Sequence, residues 1–180
     1  MPGMMERKET TPSAPFIKGE FLYDRIMAMS VTGNDTFFMR LALEEAEAAF
    51  QADEVPVGAV IVQGDTIIAR THNSRESSYD PTGHAELLAL RIAAWKRRNW
   101  RLSEATLYVT KEPCIMCAGT MINARLGRLV YGCRDTKGGA VDSLYAILSD
   151  KRLNHQVEVV SGVLEEECAD ILKRFFRKRR

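Results

Sequence analysis

The segment Ala105-Thr106-Leu107-Tyr108-Val109-Thr110-Lys111-Glu112-Pro113-Cys114-Ile115-Met116-Cys117 determines the class of fold. Residues 105–110 are mostly β-branched, aromatic or apolar, a composition that predicts a buried strand. Pro113 suits the first turn of a helix, because the N–H that it lacks would have no partner there. A strand that leads directly into a helix is the building unit of an α/β domain.

The same alternation of strands and helices continues on both sides of this segment. The sequence predicts helices over 34–50, His84–Arg97, Ser143–Leu148 and Glu165–Arg177, and strands over Val55–Gln63, Thr66–Thr71, Leu129–Tyr131 and Val157–Val160. In the first helix Asn34 or Asp35 is expected to be the N-cap. The expected buried stripes are Phe37, Phe38, Leu41, Ala42, Ala46, Ala49 and Phe50 in the first helix, and Leu87, Leu88, Ile92 and Trp95 in the second. With Ala105–Thr110 this makes a five-stranded mixed sheet with helices on both faces.

Residues 1–34 differ in composition from the rest of the chain. Pro2, Pro12 and Pro15 lie here among Ser, Thr and Gly, and no apolar period is present. We therefore expect a flexible N-terminal extension over 1–34 and one folded domain over 35–180.

Length and composition exclude several classes of protein. The chain has 180 residues, about the size of one domain. Its longest segment without a charged residue, Pro113–Ala124, is shorter than the ~20 residues of a membrane-spanning helix, so no contact with a membrane is expected. The four cysteines occur without an apolar secretory segment, which favours the cytoplasm and free or metal-bound thiols over disulfides.

The formal charge of +1 conceals a basic C-terminal run, Lys173–Arg180. Such a run is either a solvated helix end or a surface that contacts a polyanion, and composition alone leaves both interpretations open.

His84, Cys114 and Cys117 are candidate metal ligands. Cys114 and Cys117 are three residues apart at a predicted helix start, where free N–H groups favour the thiolate form that binds zinc. Alone, the cysteine pair could also be a redox pair or a packed helix start, and the histidine a polar cap. Together, His-x-Glu and Pro-Cys-x-x-Cys at two helix starts indicate a zinc ion with three protein ligands, the catalytic arrangement.

Glu86 is the candidate catalytic residue. It lies two residues after His84, about 200° round an ideal helix, so the two side chains do not bind one ion from one face. A carboxylate at this position is expected to accept a proton from the attacking water and to pass it to the substrate.

Beyond the metal motif, the sequence resembles the bacterial tRNA-specific adenosine deaminases, which belong to the cytidine and deoxycytidylate deaminase superfamily. The resemblance extends from about Asp35 to the C-terminus. It is carried by Glu54–Val60, Asn73, Asp80–Glu86, Thr106–Thr110, Glu112–Gly119 and Arg134–Ala140. It implies a cytidine-deaminase-like three-layer α/β/α sandwich and hydrolysis of adenosine to inosine at the wobble, or first anticodon, position of tRNA, usually an arginine tRNA.

The resemblance also implies site residues and partners. His84, Cys114 and Cys117 would bind one Zn²⁺ per subunit, and Glu86 would transfer protons. Substrate contacts are expected from Asn73, from the backbones of Val57 and Ala85, and from Asp135 and Lys137 in a loop that touches the anticodon nucleotides. The expected partners are the tRNA anticodon stem-loop and a second subunit in a homodimer.

Two other functions remain open on the sequence alone. A zinc-dependent deaminase of a free nucleobase or nucleoside, such as guanine or cytosine, would share the metal motif. An RNA-binding protein with a structural zinc would share the cysteines and the basic run, but it leaves Glu86 without a role and needs a fourth ligand.

Overall fold

The computed structural model describes residues 33–179. The predicted extension lies outside the described residues, apart from Gly33 and Asn34. The elements in chain order are α1 Gly33–Gln51, β1 Gly58–Gln63, β2 Thr66–His72, α2 Arg75–Ser78, α3 Ala85–Arg97, β3 Ala105–Lys111, α4 Ile115–Asn123, β4 Arg128–Cys133, a 3₁₀ turn Ile147–Ser149, β5 Glu158–Ser161 and α5 Glu165–Lys178. None of these helices combines the length and the apolar character needed to cross a bilayer.

The five strands form one mixed sheet in the order β2-β1-β3-β4-β5. Strand β1 is antiparallel to both of its neighbours, whereas β3, β4 and β5 are parallel. The carboxyl ends of β3 and β4 therefore lie beside the start of β1, at one end of the strands. The candidate functional residues lie at this end of the sheet.

Helices cover both faces of the sheet, as the sequence predicts. On one face, α3 and α4 bury Ala89 and Met121 against Leu107 of β3. On the other, α1 and α5 bury Met39 and Cys168 against the opposite side of the strands. The three-layer α/β/α architecture with a five-stranded mixed sheet is thus confirmed.

Helix α1 lies unusually close to β1. A Cβ atom at Gly58 would overlap the carbonyl oxygen of Ala42 and the backbone nitrogen of Ala46, so only glycine permits this approach. The expected stripe is mostly buried, but Phe37 is 56% exposed. Asn34 and Asp35 lie inside α1, and the Asp35 carboxylate accepts a hydrogen bond from the Tyr108 hydroxyl at 2.8 Å.

Two other predictions of local structure are wrong. The buried face of α3 is Ala85, Glu86, Ala89, Leu90 and Ala93, whose mostly small side chains let the helix lie close to the sheet, whereas Trp95 is 79% exposed. The expected helix over Ser143–Leu148 reduces to the 3₁₀ turn. A helix over 143–148 would direct the N–H of Ile147 to the carbonyl oxygen of Ser143, but this N–H donates to the carbonyl oxygen of Ala140 at 3.1 Å.

Candidate active site

The three predicted metal ligands meet at the N-termini of two helices. His84 precedes α3, Cys114 precedes α4, and Cys117 lies in the first turn of α4. The Nδ1 atom of His84 is 3.7 Å from Sγ of Cys114 and 3.6 Å from Sγ of Cys117. One ligand atom from each residue lies within 4.8 Å of the other two, which makes the cluster suited to a metal ion.

The donor set and its spacing fit zinc. With Zn–S distances of about 2.3 Å and Zn–N distances of about 2.0–2.1 Å, a tetrahedral ion separates its nitrogen and sulfur ligands by roughly 3.6 Å. The two N···S distances in the cluster agree with this value. One imidazole and two thiols leave the fourth tetrahedral position to a ligand from outside the chain.

The two thiols have unequal acidity. Hydrogen bonds from the side chain of Cys117 and from His84 lower the pKa of Cys114 to about 3. The contact with Cys114, together with burial, raises the pKa of Cys117. Without a metal the Cys114 thiolate therefore forms before that of Cys117, at the helix N-terminus where the sequence predicts a thiolate. A bound cation favours ionisation of Cys117 as well.

Glu86 lies in the first turn of α3 and is 4% exposed. Burial raises the pKa of its carboxyl group, and its charge interacts with His84 and Cys114. It faces the same cavity as the metal cluster, which encloses about 200 Å³. The wall of this cavity contains Val55, Val57, Asn73, Arg75, His84, Glu86, Lys111, Glu112, Cys114, Asp135 and Phe176.

A buried carboxylate outside the metal motif fixes Asn73. Glu54 is 1% exposed, and its Oε2 accepts a hydrogen bond of 3.1 Å from Nδ2 of Asn73. Its Oε1 accepts hydrogen bonds from the backbone N–H of Ser77 at 2.8 Å and from the Ser77 hydroxyl at 2.9 Å. Burial alone would raise the pKa of Glu54, but these hydrogen bonds hold it below its usual value, so the group is ionised.

A second buried carboxylate, Glu112, shapes the loop after β4. It accepts hydrogen bonds from the backbone N–H groups of Asp135, Val141, Asp142 and Ser143, and one from the Ser143 hydroxyl. These bonds lower the pKa of Glu112 to about 2 against the opposing effect of burial. The loop therefore lies beside the metal cluster.

This packing requires a glycine in the loop. A Cβ atom at Gly139 would overlap the carboxylate of Glu112, so no larger residue fits there. Gly139 also pairs with Cys114 in an isolated β-bridge. The loop and one metal ligand are thus joined directly through the backbone.

The structure brings most of the predicted substrate residues together. Val57, Asn73 and Asp135 line the cavity, and the carboxylate of Asp135 is held by Nζ of Lys111 at 2.7 Å. Ala85 and Lys137 are not part of the described wall. Ala85 is buried, and its carbonyl oxygen accepts a hydrogen bond from Thr71, while Lys137 is exposed next to Asp135.

The two phenylalanines of the basic C-terminal run have different environments. Phe175 is 1% exposed and stacks edge to face on Phe50, whereas Phe176 is 50% exposed and reaches the cavity. Arg179 forms an ion pair of 3.0 Å with Asp53. Part of the basic run thus serves packing at the helix end, and Phe176 contributes to the site.

Glu54, Arg75, Lys111 and Glu112 are functional-site residues that the sequence analysis did not single out. Glu54 and Glu112 are the first residues of two segments that carry the family resemblance, which is the signal that could have drawn attention to them. Their roles depend on burial and on partners 19 or more residues away, which no local pattern reveals.

Comparison with known proteins agrees with this geometry. The family model of MafB19-like deaminases matches residues 33–180. The tRNA-specific adenosine deaminase of Streptococcus pyogenes serotype M1 is 49% identical over 145 residues, 81% of this chain and 85% of that protein. The enzyme of the same name from Bacillus subtilis strain 168 is 49% identical over 146 residues, 81% and 91% of the two chains.

A solved structure is similar in both sequence and fold. It comes from biochemical and structural studies of A-to-I editing by tRNA:A34 deaminases at the wobble position of transfer RNA, and is 47% identical with a TM-score of 0.73. The match covers 76% of this chain and 99% of that chain. The sequence relatives, the shared fold and the His84–Cys114–Cys117 cluster lead to one conclusion: the chain is an enzyme that belongs to the MafB19-like deaminases and to the family of tRNA-specific adenosine deaminases.

Proposed function

We propose that the protein converts adenosine to inosine at the wobble position of tRNA, in an arginine tRNA with anticodon ACG. The observation that carries this proposal is the single cavity wall that joins His84, Cys114, Glu86 and Asn73. The 47% identical solved structure, which comes from studies of editing at the wobble position, supports the position in tRNA. The choice of an arginine tRNA rests on the sequence resemblance.

We assign His84, Cys114 and Cys117 as the ligands of one Zn²⁺ per subunit. A zinc ion held in this way supplies a Lewis acid and makes hydroxide available near neutral pH. Contacts with Cys117 and His84 lower the pKa of the Cys114 thiol, which favours the thiolate form that a metal cation binds.

Glu86 transfers the protons of the reaction. Hydrolysis adds water at C6 of adenine, breaks the C6–N6 bond and releases ammonia, so a proton must move from the water to the purine and another to the leaving amine. Glu86 is buried in the cavity next to the metal ligands, where its carboxylate can accept the first proton and deliver it. Burial raises the pKa of Glu86 and so favours the protonated carboxyl group, which is the form that donates a proton to the substrate.

The remaining assigned residues hold the base and its strand. Asn73 and the backbone of Val57 contact the base, and Asp135 contacts the neighbouring nucleotide, each from the described wall. The backbone of Ala85 and the side chain of Lys137 keep the substrate roles that the resemblance implies. The cavity volume of about 200 Å³ is below the range for drug-sized ligands, which suits a single base.

A base can enter this cavity only after leaving its stack, which costs least in a single-stranded loop such as the anticodon. Phe176 offers an exposed ring at the cavity, on which a neighbouring base can stack. Arg75 adds a positive charge to the wall. These features favour an anticodon stem-loop over a free nucleobase.

Three further assignments accompany this function. The activity resides in residues 35–180 and takes place in the cytoplasm, where tRNA is present and the thiols stay reduced. The active form is a homodimer joined through the outer face of α3. This face presents an apolar surface that includes Leu88, Ile92 and Trp95.

The decisive test incubates the purified zinc-loaded protein with an arginine tRNA of anticodon ACG, and separately with free adenosine, guanine and cytosine. Inosine at the first anticodon position, measured by sequencing and nucleoside mass spectrometry, is the expected result. Ammonia released from a free compound, with the tRNA unchanged, would leave the metal chemistry in place and refute the substrate. Bound zinc without deamination of any substrate would favour a structural metal instead.

The variant Glu86→Ala separates metal binding from proton transfer. We expect it to retain zinc at the wild-type stoichiometry and to lose turnover, because only the proton carrier is removed. Glu104→Gln, on the far edge of the domain, is the control and should retain full activity. Near-wild-type turnover by Glu86→Ala would refute the assigned role.

A further inference from the structure

The side-chain amide of Asn73 has one orientation in this structure. An ionised Glu54 offers only hydrogen-bond acceptors, so the atom of Asn73 that faces it at 3.1 Å must be the NH₂ group. The backbone of Asn73 is fixed as well, because its N–H donates to the carbonyl oxygen of Val57 at 3.0 Å. Among residues 33–179 no donor contacts Oδ1 of Asn73, and Asn73 lines the cavity. Asn73 therefore presents a hydrogen-bond acceptor, its Oδ1 atom, to the cavity.

We propose that Glu54 is a positioning residue that determines the hydrogen-bonding character of the cavity. By holding the NH₂ group of Asn73, it makes Asn73 present Oδ1 to the substrate and so selects a nucleotide that carries a donor at this place. This inference rests on the proposed function. Adenosine has such a donor at its 6-amino group, which cannot accept a hydrogen bond instead, whereas its ribose hydroxyls both donate and accept.

The substitution Glu54→Gln should reverse this character without changing the shape of the site. The backbone N–H of Ser77 cannot turn away, so it keeps the carbonyl oxygen of Gln at the position of Oε1. The NH₂ group of Gln then faces Asn73, which must rotate its amide to present Oδ1 to it. Asn73 now directs its own NH₂ group into the cavity, where a donor on the substrate meets another donor.

The complementary change is Asn73→Asp. Alone, it places a second carboxylate opposite Glu54, where both cannot stay ionised at hydrogen-bonding distance. Combined with Glu54→Gln, it restores the wild-type pattern: the NH₂ group of Gln donates to one oxygen of Asp, and the other oxygen presents an acceptor to the cavity. The pair then has the same net charge as in the wild type.

The experiment measures kcat/KM on a zinc-loaded enzyme with an anticodon stem-loop for the wild type, the two single variants and the double variant. A remote control is Glu104→Gln, because Glu104 also accepts a hydrogen bond from a side-chain amide, that of Gln63, at 2.6 Å. We expect Glu54→Gln and Asn73→Asp each to lower kcat/KM by about 10- to 100-fold. The double variant should recover most of this loss, and all variants should keep the wild-type zinc content.

The kcat/KM values of the wild type and the variants test the role of Glu54 and the proposed function separately. Inactivity of the wild type on the stem-loop would refute the function, whereas an active wild type with additive losses in the double variant would refute the inference alone. If Glu54→Gln is isolated unfolded, a folded and active double variant still supports the inference, and an unfolded or inactive one refutes it.

Discussion

Replacing Glu112 by Gln tests whether one buried carboxylate holds the loop after β4. The three N–H groups of Val141, Asp142 and Ser143 would keep the carbonyl oxygen of Gln, since backbone donors cannot turn. The NH₂ group of Gln would then face the N–H of Asp135, now a half-buried donor without a protein acceptor, which costs about 1 kcal/mol. The three retained bonds lose their ionic partner, at about 1 kcal/mol each.

These effects combine to a destabilisation of about 4 kcal/mol, a large part of the 5–15 kcal/mol that stabilises a typical domain. Urea denaturation of the zinc-loaded proteins, followed by tryptophan fluorescence, measures the difference. Ser143→Ala is the matched control: it removes only the hydroxyl donor to the same carboxylate, and we expect a loss of about 1 kcal/mol. A loss for Glu112→Gln no larger than that of Ser143→Ala would refute the assignment of Glu112 as the residue that holds the loop.

Three other predictions concern the metal, the RNA and the dimer. Cys117→Ser should lose zinc in a metal analysis, while Cys133→Ser, outside the cluster, should retain it. Deleting residues 177–180 should weaken stem-loop binding. It should also reduce the slope of log Kd against log salt by about 0.7 for each phosphate that the shortened chain no longer neutralises. An unchanged slope would assign this run to helix packing alone. Trp95→Asp should convert the dimer to monomer in sedimentation velocity; a variant that sediments like the wild type would exclude this face of α3 as the interface.

The sequence predicted the sheet well because its strands carry local signals. The β-branched and aromatic composition of β3 and the position of Pro113 after it each determine an element from neighbouring residues. The metal cluster was also predictable, since His84, Cys114 and Cys117 belong to elements whose starts the sequence marks. In each case the information lies within a few residues of the feature that it describes.

The two wrong predictions, for α3 and for residues 143–148, concern features that depend on contacts outside the local sequence. The apolar stripe of α3 pointed to the wrong face, because the helix buries its small residues against the sheet and leaves Trp95 outside. In the predicted helix over Ser143–Leu148, Glu112 holds the backbone N–H groups of 141–143, and the N–H of Ile147 bonds to Ala140 instead of Ser143. Both outcomes depend on partners distant in sequence, which helical periodicity does not encode.

The three buried glutamates at this end of the sheet show how one residue type acquires different roles. Glu54 and Glu112 receive hydrogen bonds from backbone N–H groups and serine hydroxyls, which lower the pKa of each and fix each as an ionised acceptor. Their charge is used to orient an amide and a loop, so neither can release or accept a proton without breaking the wall that it supports. For Glu86, burial raises the pKa, and the opposing hydrogen bond comes from its own backbone N–H alone among the described backbone groups; its other interactions are with the metal-cluster side chains. Of the three, it is therefore the carboxylate that can change its protonation during a reaction while the cavity keeps its shape.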